Sequence, residues 1–438
     1  MEPLRIKDNS KIAKSAFTGI PVLTSRITDR TLGQLEKDGI FVFPERIYDA
    51  EDLAEDQMIL KSANDLYLSS NVVGFLGCGE ERLVIASRFS QGTQDYFFQY
   101  LLERVMDFPN FMDFQTDVNQ ENRIFNLLMF LFPHYLRLAM RKGVFKTYIR
   151  RDYNDGNVKG SIDIARHIAR NTPFTGKIAY SQREYSYDND LTELIRHTIE
   201  YIKRKSYGAQ VLSKVKEQVR EIISVTQDYE PCDRVRVIAA NKQNIVRHAY
   251  YREYRALQHL CLLILQHQKH QIGTGTKQVY GVLFDAAWLW EEYVNLLISD
   301  QFYHPMNKIG KEGQYLFHAS KGLIYPDFLS RDALYRVVAD AKYKPVGNIG
   351  NKDYLQVLAY MLRFDAKQGY YLYPEAGNLD DVRMQINKGT SYEKNVEPRP
   401  DLFVIKHGLQ IPASAKNYDQ FVVQIQKAEI QFKAKLNI

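Results

Sequence analysis

The sequence contains few cysteines, and their spacing does not suggest a cross-link or a metal centre. Its 438 residues include three of them, Cys78, Cys232 and Cys261, and no two lie close together in the chain. This spacing excludes a disulfide framework and a cysteine-based zinc site, and it fits a reducing environment. We therefore expect a cytoplasmic protein.

Long apolar runs are also missing. No stretch approaches the roughly 18 apolar residues that a membrane-spanning helix needs, and the opening residues MEPLRIKDNSKIAKS contain no apolar signal core. These features predict neither export nor a membrane span. A GxxxxGK[ST] phosphate loop is absent too, because residues 273–277 have a different spacing and no strand precedes them. Any dependence on a nucleotide would then come from a partner.

Charge is divided unevenly along the chain, although the net charge of +6 is modest. Residues 1–133 carry 13 Lys and Arg against 20 Asp and Glu, residues 134–256 carry 24 against 14, and the remainder carries 21 against 18. An acidic beginning, a basic middle and a nearly neutral end indicate different partners for different parts. The alternative is that these are solvated surfaces of uneven sign.

A chain of 438 residues predicts two or three domains, because single hydrophobic cores stop growing at smaller sizes. We expect a small acidic α+β domain over residues 1–120, which would bind a partner. A basic α+β region with long helices should follow over residues 121–272. Residues 273–277 form the expected linker to a third domain over residues 273–438. The predicted class is thus α/β and α+β with several domains.

Apolar periodicity predicts the elements of these domains. In the first two, it predicts a hairpin over residues 71–86, a helix over 93–107, a helix over 121–140 that Phe132-Pro133 should break or kink, a hairpin of 144–153 with 158–164, a strand over 178–187, and helices over 191–205, 211–225 and 247–270. In the third, it predicts a helix over 284–299, strands on both sides of the turn at 330–332, a helix over 352–364 and a strand over 367–374. The order helix, strand, strand, helix, strand is typical of a sheet with helices on both faces.

Three charged residues lie at the ends of the two apolar strands around residues 330–332. Asp327 follows a proline, and Asp340 and Lys342 end the second strand one residue apart. Because side chains alternate along a strand, Asp340 and Lys342 should point to the same face. A surface ion pair between these two residues is the alternative explanation, but it leaves Asp327 without a role.

This set has the chemistry of a metal-dependent phosphodiester hydrolase. Mg²⁺ prefers carboxylate and carbonyl oxygens, and it can activate water and neutralise charge on a phosphate. Asp327, Asp340 and the backbone carbonyl of Ala341 are the expected ligands of Mg²⁺, for which Mn²⁺ should substitute. Glu291 on the preceding helix can add an oxygen. Lys342 is expected to hold the attacking water and to offset phosphate charge.

Several short motifs resemble those of known nucleases. The residues that carry the resemblance to the PD-(D/E)xK nuclease superfamily are Pro326-Asp327, Asp340-Ala341-Lys342, Gln356 and Tyr360. More narrowly, the chain resembles the McrC family, the nuclease subunits of McrBC- and LlaJI-type restriction systems, through residues 289–294 and 371–374 and, more weakly, upstream segments from residue 71 onward. This resemblance implies a restriction-endonuclease-like core, a mixed sheet flanked by helices, that cleaves DNA with Mg²⁺.

The resemblance also implies roles for individual residues. Gln356 and Tyr360 would support the centre from the following helix. The acid on the preceding helix would be Glu291, but the adjacent Glu292 leaves the choice between the two open.

A partner is implied as well. McrC-like subunits work with a McrB-like AAA+ motor that hydrolyses GTP, recognises DNA and translocates it. The acidic beginning or the basic middle of this chain would bind such a motor. Arg150 and Arg151, at a predicted strand end, are candidates for contact with the nucleotide site of the partner or with DNA.

Two other functions remain open from the sequence. One is a self-sufficient DNA repair or recombination nuclease with the same centre, which the acidic first domain disfavours because it would repel DNA. The other is a non-catalytic adaptor that stimulates a partner NTPase. The intact set of Asp327, Asp340 and Lys342 disfavours the adaptor.

Overall fold

The computed structural model describes residues 3–38, 40–43, 57–90, 95–106, 120–270, 279–305, 313–332, 334–377, 380–389 and 397–436. The strands in chain order are β1 (Leu4–Lys7), β2 (Lys11–Ala13), β3 (Phe41–Phe43), β4 (Leu60–Ala63), β5 (Leu66–Ser69), β6 (Val72–Cys78), β7 (Glu81–Ala86), β8 (Thr147–Asp155), β9 (Ser161–Ile162), β10 (Ile178–Ser186), β11 (Val279–Asp285), β12 (Phe302–Tyr303), β13 (Gln314–Phe317), β14 (Lys321–Ile324), β15 (Phe328–Ser330), β16 (Val337–Ala341), β17 (Gln368–Glu375), β18 (Val382–Lys388) and β19 (Glu397–Gln410). The helices are α1 (Pro21–Ile27), α2 (Leu32–Lys37), α3 (Tyr96–Met106), α4 (Gln120–Ala139), α5 (Ile164–Asn171), α6 (Asp190–Lys203), α7 (Gly208–Ser213), α8 (Lys216–Val225), α9 (Arg234–Gln243), α10 (Glu253–His270), α11 (Ala286–Ile298), α12 (Asn351–Phe364) and α13 (Tyr418–Lys435).

The chain divides into two compact units. The first unit combines Met1–Met112 with Thr276–Ile438, and the second unit is Asp113–Gly275. Helices and mixed sheets occur together, which confirms the predicted mixture of α and β structure. None of the described helices has both the length and the apolar character that crossing a membrane requires.

Both ends of the chain contribute to a five-stranded sheet in the first unit. Its strand order is β1-β7-β6-β11-β3. β6 and β7 form the hairpin predicted over residues 71–86. β11 lies between β6 and β3, antiparallel to the first and parallel to the second. Most side chains of β11 are buried on both faces.

This position of β11 corrects the predicted domain division. Residues 279–285 belong to the predicted third domain over 273–438, yet they complete the sheet formed by residues from the predicted first domain over 1–120. The physical reason is that a strand with apolar residues on both faces is stable only in the interior of a sheet. The two segments are therefore parts of one unit. The expected linker at 273–277 lies outside the described residues.

A second, six-stranded sheet of the first unit has the order β12-β15-β16-β17-β19-β18. β15 and β16 are antiparallel and flank the predicted turn. β17 lies between β16 and β19 and is parallel to both. The crossover from β16 to β17 runs through α12, as a parallel pair requires. The elements α11, β15, β16, α12 and β17 confirm the predicted order helix, strand, strand, helix, strand.

Helices cover both faces of this six-stranded sheet. Tyr371 of β17 packs with Tyr360 of α12 in one apolar core. The next residue of β17, Leu372, is paired in register with His407 of β19, so these two lie on the opposite face. There the ring of His407 stacks on Phe432 of α13, with 4.4 Å between the ring centroids. The two faces therefore have separate apolar layers.

The strand that precedes Asp327 is shorter than the sequence suggests. β14 pairs with β13 in a separate two-stranded sheet, and residues 325–327 leave the strand conformation before β15 begins. Pro326 lacks the backbone N–H that a continuous ladder would use at this point. The interruption places Asp327 directly before β15.

The second unit joins a helical bundle to a three-stranded sheet. α6 contacts α7, α8, α9 and α10, and α4 packs against α10. The strand order is β8-β10-β9, so the predicted hairpin of residues 144–153 with 158–164 is wrong. All nine residues of β10 pair with β8, and residues 161–162 pair with the other edge of β10. α5 connects β9 to β10, and β10 lies between β8 and β9 in the sheet.

Two helix predictions for this second unit also need correction. α4 continues through Pro133, so of the predicted break or kink the break is wrong. Leu131, Phe132 and Leu136 are fully buried around the proline. Burial of each such side chain contributes about 1.5–3 kcal/mol, which together exceeds the cost of about 3 kcal/mol for an internal proline. The predicted helix over 211–225 is two helices, α7 and α8.

Candidate metal centre

The antiparallel pairing of β15 with β16 brings Asp327 to the end of β16. Phe328 lies opposite Ala339 in this ladder, so Asp327 lies beside the residues that follow Ala339. The backbone N–H of Ala341 donates a hydrogen bond of 2.8 Å to Asp327 Oδ2. The carboxylate of Asp327 is thereby directed at the segment that carries Asp340.

Asp340 is almost fully buried, with 1% of its surface exposed. Lys342 Nζ lies 2.6 Å from Asp340 Oδ2, so the two side chains share one face, as strand alternation predicts. Apart from this ion pair, neither carboxylate oxygen of Asp340 accepts a hydrogen bond from the described residues. Burial raises the pKa of Asp340, while the positive charge of Lys342 opposes this effect.

The ammonium group of Lys342 is surrounded by acceptors. It donates a hydrogen bond of 3.1 Å to Gln356 Oε1, and Asp353 Oδ1 lies 3.9 Å away. Burial acts to lower the pKa of Lys342, but the charges of Asp340 and Asp327 outweigh burial, and the pKa is raised. Lys342 is therefore protonated at neutral pH.

Gln356 and Tyr360 of α12 connect Lys342 to the segment before Asp327. The two side chains are one helical turn apart, and Gln356 Nε2 donates to the Tyr360 hydroxyl at 2.7 Å. That hydroxyl donates in turn to the backbone carbonyl of Tyr325 at 3.0 Å. α12 thus holds Lys342 and the approach to β15 in one hydrogen-bonded network.

The structure distinguishes the two neighbouring acids on α11. Glu291 is 9% exposed and its negative charge acts on Asp340, where it contributes to the raised pKa of that residue. Glu292 is less buried than Glu291. Of the two acids that the sequence leaves open, Glu291 is the more buried one and the one whose charge acts on Asp340.

The environment of Asp340 agrees with the binding of a divalent cation. A buried carboxylate oxygen without a hydrogen bond is costly in a folded protein, and a cation would offset that cost. Among the described residues, no three His, Cys, Asp or Glu side chains converge as a complete metal cage would require. Mg²⁺ does not need such a cage, because it is usually bound by one or two carboxylates and keeps several waters.

Comparison with known protein families gives a direct assignment. Residues 68–374 match the model of the family described as McrBC 5-methylcytosine restriction system component. The chain belongs to this family. The match covers more than half of the sequence and includes Glu291, Asp327, Asp340 and Lys342. It confirms the resemblance to the McrC family on which the sequence-based expectations rest.

Two solved structures are similar to this McrBC component. The first is the "Refined half-complex from tetradecameric assembly of Thermococcus gammatolerans McrB AAA+ hexamers with bound McrC", at 16% identity and a TM-score of 0.51, over 100% of this chain and 99% of that chain. The second is the "Cryo-EM structure of the Thermococcus gammatolerans McrBC complex", at 13% identity and a TM-score of 0.32, over 68% of this chain and 87% of that chain. At such identity the first likeness concerns the fold alone. No curated protein matches the sequence.

The centre of this McrBC component includes residues that sequence reasoning missed. The ring of His304, just after β12, lies within 4 Å of both α11 acids and of the Asp327 backbone. Lys344 and Asp353 form an ion pair of 2.8 Å beside Lys342. No local pattern marks His304, because only the pairing of β12 with β15 brings it to Asp327.

Tyr343 anchors the backbone between the two lysines against the segment that follows β7 in the same unit. Its hydroxyl lies 2.6 Å from Ser87 Oγ. Its ring contacts Phe89, with 5.0 Å between the centroids, and the guanidinium of Arg88 lies 5.0 Å from the ring centroid. The N-terminal part of the chain therefore helps to place Lys342.

Arg150 and Arg151 lie in the middle of β8 in the second unit, so their predicted place at a strand end is wrong. Neighbouring strand residues point to opposite faces, so the two arginines do not present a common surface. Arg151 Nη2 lies 2.7 Å from Asp228 Oδ2. Arg150 is exposed, which leaves it the better candidate for contact with a partner.

Proposed function

We propose that this chain is the DNA-cutting subunit of its restriction system. It would act as a metal-dependent endonuclease that hydrolyses phosphodiester bonds when assembled with a GTP-hydrolysing AAA+ motor. The observation that carries this proposal is the buried Asp340 carboxylate, which is paired with Lys342, lies next to Asp327 and has an oxygen without a hydrogen bond. Membership of the McrBC family supports the restriction context.

The residues that would hold Mg²⁺, or Mn²⁺ in its place, are Asp327, Asp340 and the backbone carbonyl of Ala341, with Glu291 as a further oxygen donor. A bound Mg²⁺ would activate water, neutralise charge on the phosphate and assist the leaving oxygen. This donor set consists only of oxygens, which is the preference of that ion.

Lys342 would act as a positive charge. The charges of Asp340 and Asp327 outweigh burial and raise the pKa of Lys342, and its ammonium would donate hydrogen bonds to the attacking water or to a phosphate oxygen. Gln356 fixes the direction of the ammonium, and Tyr360 fixes Gln356. These two residues are therefore positioning groups.

The proposed partners are DNA and a McrB-like AAA+ motor. The fold resembles a chain of a structure described as McrB AAA+ hexamers with bound McrC, which supports an assembly of this kind. The second unit is basic, with 26 Lys and Arg against 17 Asp and Glu in residues 113–275. Its charge suits contact with DNA phosphates or with an acidic surface of the motor, and Arg150 is a candidate contact.

The proposal is tested by Asp340→Asn. We expect DNA cleavage by the complex with motor, GTP and Mg²⁺ to fall by at least about 100-fold, because the variant loses a charged ligand. Stimulation of GTP hydrolysis by the motor should stay unchanged. Without DNA, Mg²⁺ at about 100 times its dissociation constant should stabilise the wild type by about 2.7 kcal/mol and the variant by much less.

The chain provides a matched control for this experiment. Asp365-Ala366-Lys367 repeats the triplet Asp340-Ala341-Lys342, but Asp365 is exposed and has a positive φ of 53°, which asparagine tolerates. Asp365→Asn should leave cleavage unchanged. Full cleavage by Asp340→Asn would contradict the catalytic assignment. Vigorous cleavage without the motor would favour a self-sufficient nuclease, and GTPase stimulation without any cleavage by the wild type would favour an adaptor.

A further inference from the structure

We propose that His304 is a positioning residue of this centre, which joins the backbone of Asp327 to the acids of α11 so that the cation site is formed before a cation binds. The inference rests on the proposed metal-dependent function. It concerns a residue that no part of the nuclease motif contains.

The hydrogen bond between His304 and Asp327 sets the orientation of the ring. His304 Nδ1 lies 2.7 Å from the backbone oxygen of Asp327. A carbonyl oxygen only accepts, so Nδ1 carries the proton and donates it. The ring also packs on Phe328, with 5.0 Å between the centroids and 32° between the planes. These two contacts fix the imidazole against Asp327 and Phe328, at the start of β15.

The other ring nitrogen faces α11. His304 Nε2 lies 3.7 Å from Glu291 Oε1 and 3.8 Å from Glu292 Oε1, and 4% of the side chain is exposed. One buried ring thus bridges α11 and the start of β15, which are far apart in the sequence. The ring limits the distance between Glu291 and Asp327, the two candidate ligands from these elements.

The bridge has a consequence for cation affinity. Groups that orient metal ligands typically change metal affinity by about 10–100-fold when they are removed. Loss of the His304 ring would let α11 and the Asp327 backbone move independently. Cation binding would then include the entropic cost of ordering these two segments. We therefore expect weaker cation binding, with a smaller change in the rate of cleavage at saturating Mg²⁺.

The experiment compares three variants of the full-length chain. His304→Leu removes both contacts, whereas His304→Asn keeps an amide donor near the position of Nδ1 and loses the group that faces α11. His318→Leu, at an exposed histidine, is the control. Mn²⁺ affinity is measured without DNA by electron paramagnetic resonance, and the Mg²⁺ dependence of cleavage is measured with the motor.

We expect Mn²⁺ to bind about 10–100-fold more weakly to His304→Leu, with partial rescue in His304→Asn and no change in His318→Leu. The Mg²⁺ concentration for half-maximal cleavage should shift more than the maximal rate. Wild-type affinity and Mg²⁺ dependence in His304→Leu would overturn the inference. If that variant does not fold, wild-type Mn²⁺ affinity in His304→Asn would overturn the bridge to α11. Failure of the wild type to bind Mn²⁺ would instead reject the proposed function.

Discussion

Lys342 combines burial, a paired charge and a fixed direction in one side chain. Its ammonium contacts Asp340 at 2.6 Å and Gln356 at 3.1 Å. A cation that binds at Asp340 would compete with this ion pair, and the ammonium would then be available to a phosphate or a water. Under the proposed function, the same residue would stabilise the centre before the reaction and provide charge during it.

Lys342→Met tests this dual role, because methionine keeps an unbranched apolar stem and removes the charge. We expect cleavage in the assembled complex to fall by about 100–1,000-fold, as for loss of one preorganised donor. The chain without a cation should lose about 3 kcal/mol of stability, since Asp340 would remain buried and unpaired. Single-turnover cleavage and urea unfolding measure the two effects. Lys352→Met, at an exposed lysine of α12, should change neither; unchanged cleavage in Lys342→Met would contradict the assignment.

At the residue scale, the motif indicates which side chains belong together, but not all that surround them. Asp327, Asp340, Lys342, Gln356 and Tyr360 lie in one network, as their spacing suggests. His304 has no such spacing, because its place depends on the pairing of a two-residue strand.

Among the elements, α6 is the helix around which the second unit packs, and it contains a buried histidine. His197 Nε2 has no hydrogen-bond partner among the described residues, and the ring packs edge-on against Tyr229, with 4.7 Å between the centroids. Burial, followed by repulsion from Arg234, lowers the pKa of His197 to about 4. The folded chain thus keeps this ring neutral under mildly acidic conditions.

The lowered pKa of His197 predicts a pH-dependent stability of the second unit. Between about pH 6.5 and pH 4, the unfolded chain binds a proton that the folded chain does not, so stability falls as the pH falls. The loss should reach about 2 kcal/mol at pH 5. Hydrogen exchange of the α6 amides at pH 7 and pH 5, corrected for intrinsic rates, measures it. His197→Phe should remove this part of the dependence, and an unchanged dependence in that variant would contradict the prediction.

Predictions of helices and strands succeeded where a local apolar pattern marks the element, and they failed where tertiary packing determines its pairing or its ends. The helical period marks α11 and α12 correctly, and apolar runs mark β15, β16 and β17. The hairpin predicted in the second unit was wrong because the local pattern does not specify which strands pair. β10 pairs with both β8 and β9, so these two strands do not pair with each other. α4 continues through Pro133 because the surrounding apolar side chains are buried.

On the scale of the whole molecule, the first unit depends on both ends of the chain. β11 requires β3 and β6 as neighbours. Phe97 of α3 packs against Trp290 of α11, with 6.2 Å between the ring centroids. Tyr343 is anchored by Ser87. The segment that carries the candidate centre is therefore not expected to fold without residues 1–112.

A fragment of residues 276–438 tests this dependence. We expect it to be insoluble or to lack native-like dispersion in NMR spectra, since removal of its partners exposes the apolar faces of β11 and α11. Co-expression with residues 1–112 should restore a soluble complex. Residues 113–275, as the matched fragment with its own core, should fold alone. A well-folded fragment 276–438 would contradict the shared architecture.

The sequence by itself determined the α and β elements around the candidate centre, the common face of Asp340 and Lys342 and the family, because strand alternation, helical periodicity and short motifs are local properties of the chain. The tertiary structure decided which acid of α11 is more buried and acts on the pKa of Asp340, that His304 lies between α11 and β15, and that β11 joins the N-terminal sheet. Each of these depends on contacts between distant segments. Local patterns in the sequence mark which face of an element is apolar, but they do not specify which distant face packs against it.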